Sequence, residues 1–295
     1  MPQLVEQLKH FINERNQCFV EDRQLETAYI RADECESLAR KKQALKHRKA
    51  EIVKASIEGQ VIRQQRIDDE AEIDYLLHHQ FLIKNKEKFY MEELLQHRRA
   101  LFVNEELADD FEVIEDSVVE SPQIERLNQS EQKERFSYNR LEAVRYAERW
   151  WNDYNPIYRR FENNCTNFVS QCLRAGGAPM SGASNRSKGW WYREENWSYS
   201  WSVAHAMRWY LSGAESGLRG QEMSSAKELS PGDVICYDFD GDGRWQHTTI
   251  VVAKDADGMP LVNAQTTNSR MRYWTYEDST AWTEHINYRF FHIAD

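Results

Sequence analysis

The run from Asn163 to Gly177 constrains the fold more than any other stretch, because it reads as a buried helix with a thiol in its first turn. Phe168, Val169, Cys172 and Leu173 recur at helical spacing and mark one apolar face. Gly176-Gly177 is a stop signal, and Asn163 or Asn164 can accept a hydrogen bond from the orphan N–H groups of the first turn. Cys165 therefore stands where the positive end of the helix dipole favours a thiolate, the nucleophilic form of cysteine. Cys172 lies two turns further on, where the dipole gives no help, and reads as a small core residue.

A nucleophilic thiol needs a base and a group that orients the base. Pro231-Gly232-Asp233 breaks the backbone, and Val234 to Tyr237 then reads as a short buried strand. His247 opens a second strand that runs to Ala253 through β-branched residues. Asp255 to Gly258 form a turn, and Leu261 to Thr266 return as a third strand. A hairpin of that length is expected to set Asn263 beside His247. Cys, His and a side-chain amide, in that chain order, form the arrangement of a papain-type thiol hydrolase. His205 is the rival base, but it falls on an expected helix, Val203 to Leu211, with no hairpin partner to orient it.

Four blocks carry a family resemblance: Cys165-Thr166-Asn167-Phe168-Val169-Ser170-Gln171, Ala175-Gly176-Gly177, Pro231-Gly232-Asp233-Val234-Ile235, and His247 with the strand after it. At these residues the sequence resembles the "putative amidase domain" family, a bacterial branch of the papain-like superfamily that also holds CHAP and NlpC-type peptidoglycan hydrolases. The resemblance covers Tyr138 to Asp295. It implies a papain-like domain with the nucleophile helix packed on an antiparallel sheet. By the same resemblance Cys165 is the nucleophile, His247 the base and Asn263 the residue that holds the imidazole, with the Cys165 backbone N–H stabilising the oxyanion. Relatives are expected to carry Asp where this chain has Asn164, a neutral residue that would not oppose the thiolate and is placed here on the substrate side. The implied substrate is a peptide or a peptidoglycan-type amide, and no metal or other cofactor is expected.

Upstream, Leu4 to Phe19 carries a helical stripe, and two polar helices are expected over Glu26 to Leu38 and Arg40 to Ile52. Four stretches with frequent alternation follow: Ile52 to Ile67, Glu72 to Lys84, Phe89 to Asn104 and Phe111 to Val119. Polar breaks separate them, the last at Ala108-Asp109-Asp110. Helices followed by a four-stranded meander resemble the cystatin-like cone fold of the nuclear-transport-factor-two type. The competing expectation is a helical bundle, since Glu87 to Leu101 is helical by propensity. His78 and His79 are adjacent on one strand and point to opposite faces, so they do not converge. A docking role toward a protein partner suits this region better than a second enzyme. The whole reads as α+β in two domains, 1–120 and 137–295, joined by a polar linker at 121–136.

Between the nucleophile helix and the first strand, Pro179 to Trp201 is dense in aromatics. Trp190, Trp191, Trp197 and Trp201 there read either as a substrate-contact surface or as a lid that closes over the core. Asp238 to Gly243 has the spacing of a calcium loop, but Thr249 stands where the bidentate Glu should be, so a tight acidic turn is the better reading. The five cysteines are odd in number and form no C-x-x-C pair, against a disulfide framework or a structural zinc. A formal net charge of −10 excludes binding driven by phosphate neutralisation, so no nucleic-acid partner is expected. The N-terminus shows no basic region followed by an apolar run, and no stretch reaches the length of a membrane span. That points to the cytoplasm, with export by a route without an N-terminal signal as the other possibility. Two further classes stay open at this stage: a binding module that retains the fold without catalysis, and acyl transfer to an acceptor other than water.

Overall fold

The computed structural model describes residues 1–21, 30–113, 136–182 and 185–294. Among them the chain is α+β, with six α-helices and extensive antiparallel pairing. It divides into two compact units, Met1–Glu115 with Thr275–Thr280, and Asp116–Trp274 with Ala281–Asp295. The linker expected at 121–136 lies outside the described residues except for Phe136. No described helix is long and apolar enough to cross a membrane.

The first unit holds α1 (Pro2–Val20), α2 (Ala32–His47) and the antiparallel strands β1 (Ala50–Ile67), β2 (Glu70–Asn85), β3 (Lys88–Val103) and β4 (Glu106–Glu112), each paired with the next. Alternation decides its core. Ile73, Tyr75, Leu77, His79, Phe81 and Ile83 of β2 are buried on one face, and Leu4, Leu8, Phe11 and Ile12 of α1 join a cluster with Ile73, Tyr75, Leu77, Ala100 and Phe102. The helical-bundle alternative fails because β3 is fully paired along its length, so cross-strand packing overrides its helical propensity. Two expectations are corrected. Residues 32–47 form one helix where a break near Leu38 was expected, since no Gly or Pro interrupts them. The acidic break at Ala108-Asp109-Asp110 is instead inside β4. Asp110 is buried there against the Arg98 guanidinium and the Tyr75 hydroxyl, and Arg98 also donates to Glu34 Oε1 at 2.8 Å.

The second unit holds α3 (Arg140–Trp150), α4 (Cys165–Ala175), the short pair β5 (Tyr192–Arg193) and β6 (Asn196–Trp197), and α5 (Tyr199–Ser202) and α6 (Ala204–Gly213). The strands β7 (Gly220–Met223), β8 (Val234–Asp238), β9 (His247–Lys254), β10 (Pro260–Ala264), β11 (Asn268–Tyr273) and β12 (Asn287–Ile293) follow. Their spatial order is β11-β10-β9-β8-β12-β7, and every pairing is antiparallel. Nine of the eleven residues of α4, Cys165 to Leu173, are buried. Its apolar stripe packs inward, and its polar residues are matched one by one: Thr166 Oγ1 lies 3.0 Å from Thr248 Oγ1, and Tyr146 donates its hydroxyl to Gln171 Oε1 at 2.7 Å. That two-sided enclosure fixes the start of α4 against the first residues of β9.

Candidate active site

Cys165 is the first residue of α4, and Asn164 is its N-cap by position only. The Asn164 Oδ1 accepts from the Phe161 N–H and from Asn167 Nδ2, both at 2.9 Å, and its Nδ2 donates to Gln265 Oε1. The acceptor for the helix start comes from elsewhere in the chain. Thr266 Oγ1 accepts the backbone N–H groups of Asn164 at 3.0 Å and of Cys165 at 3.2 Å. The side-chain cap expected from Asn163 or Asn164 is thus supplied by Thr266, and Asn164 is a buried structural amide instead of a substrate contact.

The Cys165 sulfur is buried, which by itself raises a thiol's pKa. Burial is the largest single influence, but charge attraction from His247 and hydrogen bonding with the His247 side chain, the Thr248 backbone and the Thr166 hydroxyl together outweigh it, and the value falls to about 6. Cys172 and Cys236 show the contrast. Both are equally enclosed, and burial pushes both thiols upward, with only a partial offset from Arg208 at Cys236. One helix therefore carries an activated cysteine and an inert one, seven residues apart, and the difference is the neighbour.

His247 begins β9 opposite Tyr237 of β8, with its ring centroid 5.6 Å from that of Tyr237 and 6.1 Å from that of Phe239. The rival His205 is engaged elsewhere. Trp209 Nε1 lies 3.2 Å from its Nε2 and the Trp245 backbone N–H 3.3 Å from its Nδ1, and burial depresses its pKa, with Arg244 and Arg208 adding to that.

Asn263 does not reach the imidazole. A register shift between Leu261 and Val262 sets it opposite Ile250, three residues past His247. Its Nδ2 donates to Glu148 Oε1 and its Oδ1 accepts the Met271 N–H, each at 2.8 Å. Asn263 therefore ties α3 to β11. Gln265 does not replace it, since its Nε2 donates to the carbonyl oxygens of Trp150 and Asp153 and its Oε1 is occupied by Asn164.

The tryptophans follow the lid reading at three of four positions. Trp190, Trp191 and Trp201 are at most 1% exposed, so they present no face to a ligand. Each indole N–H has an internal acceptor: Ser170 Oγ for Trp190 at 3.0 Å, the Lys188 carbonyl for Trp191 at 2.9 Å, and Asn167 Oδ1 for Trp201 at 2.7 Å. The two acceptors on α4, Ser170 and Asn167, explain why a loop rich in Trp folds inward: the buried polar residues of that helix need donors. Trp197 is half-buried, between the guanidinium groups of Arg159 and Arg186, and remains accessible in part. The Asp238 to Gly243 segment is a tight turn in which the Asp238 carboxylate accepts the N–H groups of Gly241 and Gly243.

Sequence reasoning missed Thr166, Thr248 and Thr266. The first two flank Cys165 and His247 and were visible as neighbours of the candidates. Thr266 had no local signal, because its partner is 101 residues away. The structure thus sets a buried thiol with a pKa lowered to about 6 beside an imidazole, at the first residue of a helix. Residues 137–291 match the family described as "Putative amidase domain". The chain is 49% identical over 268 residues to "Uncharacterized protein YhbB" of Bacillus subtilis (strain 168), covering 88% of this chain and 86% of that protein. It is 32% identical over 126 residues to "Uncharacterized protein YjcM" of the same organism, covering 40% of this chain and 28% of that one. No solved structure matches it.

Proposed function

Because the chain belongs to the putative amidase domain family, we propose that it is a hydrolase that opens an amide bond through a thioester on Cys165. The observation that carries this reading is the Cys165 thiol brought down to about 6 by the His247 imidazole. At neutral pH the thiol is then largely thiolate, ready for attack without prior proton removal.

In the first half-reaction the Cys165 sulfur bonds to the carbonyl carbon and the π pair moves to oxygen. Collapse of the tetrahedral species breaks the C–N bond, and the His247 imidazolium protonates the leaving amine. Neutral His247 next removes a proton from water, which attacks the thioester, and the thiolate leaves. His247 is held by its place at the start of β9 and by the Tyr237 and Phe239 rings, with no contribution from Asn263. A peptide or peptidoglycan-type amide is the substrate class we favour.

The test is release of amine from muropeptides and from a broad peptide-amide library. Cys165→Ala is expected to abolish it while leaving the melting temperature nearly unchanged, because loss of one sulfur at a helix start leaves little cavity. An unmodified protein that binds such fragments with an affinity indifferent to Cys165→Ala, and turns over none of them, is a binding module instead.

A further inference from the structure

We propose that the Thr266 hydroxyl is the oxyanion donor of this site, an assignment that rests on Cys165 acting as the nucleophile. The expected donor, the Cys165 backbone N–H, is already hydrogen-bonded to Thr266 Oγ1, as is the N–H of Asn164. A hydroxyl oxygen has two acceptor positions and one proton, so these two bonds fill its acceptor capacity and leave the O–H as its remaining function. That O–H has no acceptor among the described residues, and Thr266 is exposed although the cysteine beside it is buried. The hydroxyl is thus the end of a short relay that begins at the helix start, on a residue that reaches solvent.

Two physical arguments make it a strong donor. The N–H groups that feed Oγ1 are the orphan donors of α4, at the positive end of its dipole, and a hydroxyl that accepts two such bonds is polarised toward giving its own. The sulfur and the amide nitrogen of Cys165 are also only three bonds apart. An acyl carbon bonded to that sulfur therefore carries its oxygen into the neighbourhood of the group already seated on the nitrogen.

The backbone at Thr266 fits the assignment. It lies between β10 and β11 at φ 92, a region that a β-branched residue enters only under strain. Glycine would adopt this conformation without strain, yet it has no hydroxyl to seat on the α4 start. In the reaction, the Sγ–C bond forms, the C–O π pair moves to oxygen, and that oxygen accepts the Thr266 O–H. The proton stays on threonine. When the intermediate collapses, the pair returns to the carbonyl, the C–N bond breaks, and His247 supplies the proton to the amine.

The experiment compares two reactions of Cys165. Acylation by p-nitrophenyl acetate passes through an oxyanion and is read as nitrophenolate release. Alkylation by iodoacetamide involves no oxyanion and is read by peptide mapping. Thr266→Val keeps shape and strain but removes the hydroxyl. It is expected to slow acylation by about 10²- to 10³-fold, the usual effect of losing one oxyanion donor, with alkylation within about threefold of the unmodified protein. Thr266→Ser is expected to keep acylation within about tenfold, since the donor remains. Thr266→Gly removes hydroxyl and strain together, so it serves if the valine variant fails to fold, and is expected to show the same selective loss. Acylation of the valine or glycine variant at the unmodified rate overturns the proposal and makes the freed N–H groups the oxyanion seat. An equal loss in both reactions also overturns it, and reduces Thr266 to a helix cap. An unmodified protein that neither alkylates nor acylates at Cys165 removes the nucleophile reading, and the role of Thr266 with it.

Discussion

Cys165 and His247 are coupled at the start of α4: the imidazole draws the pKa of the buried thiol down, and the sulfur lies 3.7 Å from the Thr166 hydroxyl. With the thiol's pKa lowered to about 6, the thiolate fraction grows as pH rises through that value. Reactivity toward iodoacetamide is therefore expected to be nearly full at pH 7 and to fall away below about pH 6, in contrast to an ordinary thiol with pKa near 8.5. Cys35 is the exposed comparison, and its partial burial and the charge of Glu34 push its thiol upward. Peptide mapping after brief labelling at pH 6.5 should find Cys165 modified ahead of Cys35. Labelling of Cys35 first would remove the basis for an activated cysteine.

Replacing His247 tests whether the imidazole causes that shift. In His247→Ala the burial of Cys165 stays and the imidazole is gone, so the thiol should move above the ordinary range, as the enclosed Cys236 does. A rise from about 6 past 9 lowers the thiolate fraction at pH 7 about 100-fold, and the alkylation rate should drop by a similar factor. Amine release should fall as far as in Cys165→Ala, because residues that act as one unit do not contribute additively. An alkylation rate unchanged in His247→Ala would place the cause of the shift at the helix start and the Thr248 amide.

What was legible in the sequence was what depends on near neighbours. The start of α4, its apolar stripe and its Gly176-Gly177 stop are local signals, and β9 announces itself by its run of β-branched residues. Register was not legible, because nothing in the composition fixes where this hairpin pairs: Leu261 lies opposite Ala253 and, even after a shift at Val262 that brings it one residue nearer, Asn263 lies opposite Ile250 and not His247. The tryptophans were ambiguous for a related reason. A Trp in a loop is a surface or a core residue according to whether an acceptor waits inside, and those acceptors, Ser170 and Asn167, are on a helix some 20 to 34 residues earlier. In the first unit, Asp109 and Asp110 look like a turn until the buried Arg98 is known to face them.

The amide of Asn263 bridges Glu148 and the Met271 backbone, which makes its substitution a test of structure against catalysis. Asn263→Ala leaves a buried N–H and part of a carboxylate without partners, at a cost of about 1–3 kcal/mol in stability. The pH profile of Cys165 alkylation should keep its midpoint near 6, since nothing joins Asn263 to the imidazole. A midpoint that moves upward in this variant would restore Asn263 as the residue that orients His247.

Trp201 stands at the centre of the aromatic cluster, with ring centroids 4.9 Å from Trp190 and 5.5 Å from Tyr192, and its indole N–H on Asn167. Trp201→Ala is expected to destabilise the second unit by about 3–5 kcal/mol, the range for loss of a large buried ring. Urea titration measures that loss. Substrate affinity of the protein that remains folded should change little. A variant with unaltered stability and weakened substrate binding would return Trp201 to the contact surface.

Arg98 is fully buried, against Asp110 and Glu34, and Arg15 approaches the same two carboxylates at 3.4 and 3.0 Å. Removal of one partner from a buried ion pair leaves an uncompensated charge, so Arg98→Met should cost about 3–5 kcal/mol at pH 7. The pH dependence gives the sharper test. Burial raises the pKa of Glu34, but Arg15 and Arg98 overcome it and hold the carboxyl below its ordinary 4.5. A depressed carboxyl contributes stability above its unfolded pKa, and that contribution is lost as pH falls through the folded value. In Arg98→Met much of the opposing charge is gone and burial pushes Glu34 upward, so protonation relieves the variant at a pH where the unmodified protein is losing its ion pair. The stability gap between the two should therefore narrow from pH 7 to pH 4.5 in thermal melts of the full chain. A gap that stays constant or widens over that range would mean that Arg98 acts through packing and not through its charge.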